Sequence, residues 1–138
     1  MTDPTQRDRF AAYFPRVFAY VHRWADDDER CREIVTGAFA RVFNRGAILS
    51  DKDFAVALFS VARELCEESG KSSPKANGGL SAPESEVLAL MFDAQLTRGQ
   101  VGSLLQVHED TVVSALVRGL RKLKGVVTHD SSPLLQQL

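Results

Sequence analysis

The stretch LTRGQVGSLLQVHEDTVVSALVRGLRKLK, residues 96–124, carries the strongest fold signal in the chain. Thr97 precedes a short apolar pattern, and threonine is a favoured N-cap, so a short helix is expected to begin after it. A turn at 106–109 separates this helix from a longer one with a basic end. The predicted apolar stripe of the longer helix is Val112, Leu116, Leu120 and Leu123. This order is typical of a helix-turn-helix, although an ordinary helical hairpin shares the pattern.

A second capped helix is expected immediately before this stretch. Ser81 is followed three residues later by Glu84, which is the pattern of a capping box. The preceding segment, 69–80, is rich in serine, glycine, lysine and proline and lacks apolar periodicity, so it is predicted to be a flexible linker. The helix-turn-helix domain is then expected over 81–125, and the remaining residues, 126–138, are predicted to form a loose tail.

The N-terminal segment, 1–68, is predicted to fold as a bundle of three helices. Each helix shows apolar residues at spacings of three and four, and no part of the chain alternates convincingly over the length of a strand. The predicted fold class is therefore all-α. Pro15 lies inside the first apolar pattern, so a kink or a restart of the helix is expected there. Three apolar residues are expected to lie in the core: Trp24, Phe39 and Leu58.

The composition is that of an ordinary globular protein, and it limits the classes of function. The 138 residues include 17 basic and 18 acidic side chains, so the net charge of -1 argues against nucleic-acid binding through bulk charge alone. No apolar run approaches the ~20 residues that span a bilayer, and the N-terminus lacks an apolar signal core. We therefore expect a cytoplasmic protein without membrane contact. Cys31 and Cys66 are expected to be reduced, buried thiols.

The pattern of 96–124 resembles the fourth conserved region of bacterial extracytoplasmic-function (ECF) sigma factors. That region reads roughly Leu-Ser, two polar residues, Ile-Ala, Leu-Gly-Val-Ser, Thr-Val, Lys-Ser-Arg and a run of arginines. The matching positions are Leu96-Thr97, Val101-Gly102, Leu104 to Val107, Thr111-Val112, Ser114 and Arg121 to Leu123. In the N-terminal half, YFPRVFAYVHRWADDDERCREIVTGAFARVF (13–43) and FAVALFSVARELC (54–66) resemble the family's second conserved region.

The resemblance implies a sigma region 2-like bundle, a linker and a sigma region 4-like helix-turn-helix. A sigma factor binds core RNA polymerase, opens the minus-ten promoter element with region 2 and reads the minus-thirty-five element with region 4. The implied polymerase-binding residues are Glu33, Thr36 and Arg41. The implied DNA-binding residues are Thr111, Ser114, Arg118, Arg121 and Lys122, together with Arg63 from the second region.

Several positions depart from the family pattern and keep a second hypothesis open. Val113 and Ala115 stand where the family usually carries Lys and Arg, and 108–110 is acidic where base reading needs donors. Val113 and Val117 flank the predicted core stripe and form a candidate protein-interaction patch. The alternative is a sigma-like module that binds an anti-sigma protein, another sigma factor or a copy of itself. If the longer helix docks in a major groove, Val113→Lys combined with Ala115→Arg is expected to strengthen DNA binding.

An enzyme is the class that the sequence supports least. His22, His108 and His129 lie in separate segments, without the spacing of metal ligands or of a catalytic group. The paired glycines at 78–79 lack a phosphate-loop pattern. No catalytic residue, metal site or cofactor is therefore predicted.

Overall fold

The computed structural model describes residues 4–25, 27–45, 49–70 and 79–129, and every regular element among them is helical. The predicted all-α fold class is confirmed for these residues. None of their helices is both long enough and apolar enough to cross a membrane. The N-terminal half contains α1 (Pro4–His22), α2 (Asp28–Asn44) and α3 (Asp51–Glu68). The C-terminal half contains α4 (Ala82–Leu88), a π-helical turn (Ala89–Asp93), α5 (Arg98–Leu105) and α6 (Glu109–His129).

Side-chain caps start three of the helices, and for α4 and α5 the capping residue is the predicted one. The Ser50 hydroxyl accepts a backbone hydrogen bond in the first turn of α3. Ser81 and Glu84 form the predicted capping box of α4, and Thr97 and Gln100 form a second capping box at α5. Because a capping box satisfies two backbone donors that have no partner within the helix, it fixes where each helix begins.

Helix α1 runs through Pro15 without a break, so the predicted restart is wrong. Proline removes one backbone donor, but the side chains on both sides of it pack into the same core. Tyr13 meets the Phe54 ring edge-on, with 5.3 Å between the ring centroids, and Val17 is fully buried. Tertiary packing of these flanking residues therefore outweighs the lost hydrogen bond.

The N-terminal half has an aromatic core, and it confirms the three core predictions. Trp24, Phe39 and Leu58 are each at most 2% exposed. Tyr20 of α1 meets Phe59 of α3 edge-to-face, with 5.7 Å between centroids. Both cysteines are free and buried, as the sequence analysis predicts. Large apolar side chains therefore hold α1, α2 and α3 together.

The N-terminal and C-terminal halves pack directly against each other. The buried core continues from the first three helices into the C-terminal half, where α5 lies on α3 and the π-helical turn lies on α1. The Arg16 guanidinium donates to the Ala94 carbonyl (2.7 Å), and Arg23 pairs with Asp93 (2.7 Å). These contacts set the orientation of the two halves, which the sequence pattern leaves open. The division into two domains at a linker stays a prediction.

Parts of two predictions fall outside the described residues. They are 71–78 of the predicted linker and 130–138 of the predicted tail. Helix α6 continues to His129, so the first part of the predicted tail, 126–129, is helical. No proline interrupts the chain between Glu109 and His129, and a single glycine near a helix end costs only about 1 kcal/mol, so the helix continues.

Candidate functional site

Helices α5 and α6 are joined by a tight turn at 106–108. Gln106 adopts a left-handed conformation (φ 60°, ψ 44°) that ends α5. The Val107 amide donates to the Gly102 carbonyl (3.0 Å), and a Cβ atom at Gly102 would lie 2.9 Å from the Val107 carbonyl oxygen. Gly102 therefore allows the turn to lie close against α5. The predicted order of short helix, turn and longer helix is confirmed, and its role in DNA binding stays a prediction.

Helix α6 turns a different face to the core from the predicted one. Its buried positions are Val112, Ala115 and Gly119, whereas Leu120 of the predicted stripe is 42% exposed. A Cβ atom at Gly119 would lie 3.0 Å from Leu88 Cδ1, so the small residues let α6 approach α4 closely. Of the predicted stripe, Val112 is buried and Leu116 packs half-buried against the core, whereas the prediction is wrong at Leu120, which lies outside the core.

The position of Ala115 overturns one expectation about DNA binding. Ala115 belongs to this buried line and is only 3% exposed, so it cannot face a DNA groove. An arginine at that position would have to place its charge in the core, which costs free energy unless the charge finds a partner. The combined Val113→Lys and Ala115→Arg change is therefore expected to damage the fold rather than to strengthen DNA binding.

A buried carboxylate on α4 holds two of the predicted DNA-binding residues. The Glu84 side chain is 4% exposed, and its oxygens accept hydrogen bonds from Lys122 Nζ (2.6 Å) and Arg118 Nε (3.3 Å). The hydrogen bond from Lys122, followed by that from the Ser81 amide, lowers the pKa of Glu84 from 4.5 to about 2. Arg118 and Lys122 therefore share one negative charge within the chain, and both lie on the flank of α6 that faces α4.

The other predicted DNA-binding residues of α6 lie at the surface. Thr111, Ser114 and Arg121 are exposed, and so is Lys124 one turn further on. Within the described part of the chain, Arg121 and Lys124 make no ion pair. These two cations are therefore available to a partner.

The start of α6 carries negative charge. Glu109 faces Arg98 across the turn, with 3.7 Å between the charged groups. Asp110 is 94% exposed and lies 3.6 Å from the His108 ring. The positive charge of α6 is therefore concentrated in its second half, as the sequence analysis predicts.

Arg63 lies between the two halves of the molecule, away from the exposed residues of α6. Its guanidinium donates to both oxygens of Glu86 (2.6 and 3.1 Å) and pairs with Glu67 (2.9 Å). The Glu86 carboxylate is 10% exposed and also lies 3.5 Å from the Tyr20 hydroxyl. The hydrogen bond with Glu86 raises the pKa of Arg63, while burial, followed by Glu86, raises the pKa of Tyr20. In this structure Arg63 joins α3 to α4.

Sequence reasoning missed the two buried carboxylates of α4. The capping-box pattern indicates that Glu84 lies in the first turn of a helix, but it does not indicate that Glu84 holds two basic residues from α6. Glu86 carries no signal at all, because a charged residue is normally assumed to lie at the surface. The burial of Glu84 and Glu86 depends on basic partners that are distant in the sequence, so no local pattern indicates it.

The predicted polymerase-binding residues lie on α2, beside a groove between α2 and α3. The groove has a volume of about 320 Å³, and Ile34 and Leu65 contribute apolar surface to it. Glu33 and Arg41 line the groove and pair with neighbouring charged side chains at 3.4 and 3.8 Å. Thr36 is exposed on the same helix but does not line the groove. The structure therefore brings two of the three candidates together.

The predicted protein-interaction patch extends further than two valines. Val113 is half-buried and Val117 is 37% exposed, and Leu120 adds a third apolar side chain one turn further on. Together Val113, Val117 and Leu120 form the apolar row of α6. Because they lie opposite the buried line, they are available to a partner rather than to the core.

Metal and thiol chemistry have little support in the described residues. No group of three or more His, Cys, Asp or Glu side chains among them could hold a metal ion. Burial raises the pKa of the Cys66 thiol to about 12, which keeps it protonated near neutral pH. Cys66 is therefore a buried, protonated thiol near neutral pH.

Comparison with models of known protein families and with curated proteins finds no match. The resemblance to ECF sigma factors therefore depends on the motifs of the chain itself.

Proposed function

We propose that the chain is a divergent ECF-type sigma factor that binds core RNA polymerase and directs it to promoter DNA. The observation that carries this proposal is the pair α5 and α6, a capped short helix and a longer helix joined at Gln106. The pair follows a three-helix bundle, which is the order of the two regions in the family. A second helix presented after a tight turn is the element that enters a major groove in helix-turn-helix proteins.

The DNA-facing chemistry falls to the exposed side of α6. The hydroxyl groups of Thr111 and Ser114 can donate to or accept from base edges, and Arg121 can bind a phosphate. Arg118 and Lys122 are 55% and 43% exposed, so each can reach a phosphate with donors that Glu84 does not use. The acidic start of α6 weakens this surface, so binding is expected to be modest and strongly dependent on salt.

The first half supplies the remaining contacts in this proposal. Arg63 can bind promoter DNA only after its pair with Glu86 opens, because Glu86 occupies two of its donors. Core RNA polymerase would contact α2 at Glu33, Thr36 and Arg41. The charged rim and apolar floor of the neighbouring groove suit a helical partner surface.

A salt titration with promoter DNA tests the DNA-binding part. Binding of the chain to a labelled promoter library is measured by fluorescence anisotropy over a range of salt concentrations, with core RNA polymerase present. Arg121→Ala is expected to weaken binding and to reduce the slope of log affinity against log salt by about one, because one phosphate contact is lost. Arg7→Ala, which removes an exposed arginine from α1, is the matched control and is expected to change neither. An unchanged slope for Arg121→Ala would contradict the proposed geometry.

A second function is favoured by a specific observation, namely the apolar row and the acidic start of α6. A surface with Val117 and Leu120 exposed and Val113 half-buried beside them is suited to protein contact, and Asp110 would repel phosphate. The alternative is therefore a sigma-like module that binds an anti-sigma protein, another sigma factor or its own copy without promoter contact. Saturable binding to a protein partner, with no DNA binding at low salt, would favour this alternative.

A further inference from the structure

The exposed side of α6 combines charged and apolar residues in a defined order. Its charged ends are Asp110 near the start and Arg121 and Lys124 near the end, with the apolar row between them. With 3.6 residues per turn, all of these residues lie within about 60° of Val117 around the helix axis. Together they form one strip along the helix, which we call the outer strip: Asp110, Val113, Val117, Leu120, Arg121 and Lys124.

Among the described residues, the charges of the outer strip make few contacts with the rest of the chain. Arg121 and Lys124 make no ion pair within the described residues. Asp110 is 94% exposed, and its one charged neighbour among those residues is His108, at 3.6 Å. The outer strip therefore has an apolar centre and exposed charges of opposite sign at its two ends.

The outer strip runs from an acidic start through an apolar centre to a basic end. It therefore matches the same strip of a second helix that runs in the opposite direction. Consider a second α6 that lies antiparallel to the first, with a two-fold axis beside Val117. Each residue then faces the residue of the second copy that lies equally far from Val117 in the opposite direction along the sequence. Asp110 then faces Lys124 of the second copy, Val117 faces itself, and Val113 lies close to Leu120 and Arg121 of the second copy. A parallel pair would instead place acidic residues beside acidic ones and basic beside basic, which is repulsive.

We propose that the outer strip is a self-association surface, and that two copies of this chain pair through antiparallel α6 helices. The occupant is a second copy, because the apolar row and the opposite charges at its two ends match the same surface of another chain. Two identical surfaces of this kind form a closed two-fold dimer, the commonest form of oligomer. The inference does not depend on the proposed function. It adds a consequence to it, because the paired helix would hide the side of α6 that a DNA groove would need.

A charge-reversal cycle tests the antiparallel pair. The association of the full chain is measured by sedimentation velocity over a concentration series up to about 200 µM, a range that detects weak interfaces. Asp110→Lys places like charges opposite each other twice in the dimer, so the dissociation constant is expected to rise at least about tenfold. Lys124→Asp is expected to have a similar effect. The double variant Asp110→Lys with Lys124→Asp restores opposite charges and is expected to return to within about threefold of the original value.

Two further variants separate this surface from general effects. Glu64→Lys changes the net charge by the same amount on exposed α3 and is expected to leave the dimer unchanged. Val117→Ser removes the central apolar contact without a change of charge and is expected to weaken the dimer. Circular dichroism confirms that each variant folds. A monomer at every concentration, equal weakening by Glu64→Lys, or a double variant that fails to recover would each overturn the inference.

Discussion

Helix α6 packs differently from the helices of the N-terminal half. In the N-terminal half, large residues such as Phe39 and Leu58 fill the space between helices. On α6, the small residues Ala115 and Gly119 are buried, and Leu120 remains outside. The difference shows that a large apolar residue at helical spacing is a reliable sign of the core only where the helices are held apart by large side chains. Where small residues bring two helices together, the large ones on the same helix can face outward.

The largest expected effect is on stability, and it is measured by truncating one large residue in each half of the molecule. Phe39→Ala is expected to lower the free energy of unfolding by ~3–5 kcal/mol, because it leaves a cavity beside Phe43 and Phe10. Leu120→Ala truncates an exposed side chain and is expected to change stability by less than about 0.5 kcal/mol. Urea denaturation of both variants measures the difference. Similar losses for the two would mean that α6 buries its leucines in solution.

The second prediction concerns the small residues of α6. Ala115→Arg is expected to lower the free energy of unfolding by about 3 kcal/mol or more, because the side chain must displace packed neighbours and carry its charge into the core. Val113→Arg, on the edge of the exposed side, is the matched control, and a change within about 0.5 kcal/mol is expected. Thermal denaturation of the pair compares the two sides of the helix. A tolerated arginine at Ala115 would show that α6 is rotated relative to this structure.

The sequence was informative where local chemistry decides the structure. Capping patterns at Ser81 and Thr97 predict the starts of α4 and α5, and large residues such as Phe39 predict the N-terminal core. The register of α6 was not predictable, because the buried line through Ala115 and the exposed row through Val117 have the same helical spacing. The site was less predictable still. The pair of Arg63 with Glu86 depends on how the two halves pack, which no local pattern contains.

The third prediction uses the pH dependence of the buried carboxylate on α4. Because the pKa of Glu84 is lowered from 4.5 to about 2 in the folded chain, its stabilising contribution is fully present above about pH 4.5. That contribution is lost as the pH falls through about 2. Glu84→Gln is therefore expected to be less stable than the original chain at pH 7, and the difference is expected to shrink as the pH falls.

Thermal denaturation between pH 7 and pH 2 measures this difference. Glu64→Gln, at an exposed position of α3, is the matched control and is expected to follow the original chain throughout. A constant gap between Glu84→Gln and the original chain would show that the contacts of Glu84 with Arg118 and Lys122 do not depend on its charge.

The smallest expected effect lies in the turn between α5 and α6. Gln106 has a positive φ of 60°, a conformation that glycine adopts without steric strain. Gln106→Gly is expected to raise the free energy of unfolding by about 0.5–1 kcal/mol, since relief of strain exceeds the added entropy of the unfolded chain. Gln106→Ala keeps the strain and is expected to give no gain. Equal stability of the glycine and alanine variants in urea would contradict the left-handed turn.

Binding to core RNA polymerase tests the proposed function most directly. The chain, labelled with a fluorophore, is titrated with core RNA polymerase, and run-off transcription from promoter DNA is measured in the same samples. The account predicts saturable binding that Arg41→Glu weakens at least about fivefold, while Arg7→Glu, with the same change of charge on α1, leaves it unchanged. It also predicts a transcript that appears only when the chain is present. No binding, or equal weakening by both substitutions, would contradict the assignment of this chain as a sigma factor.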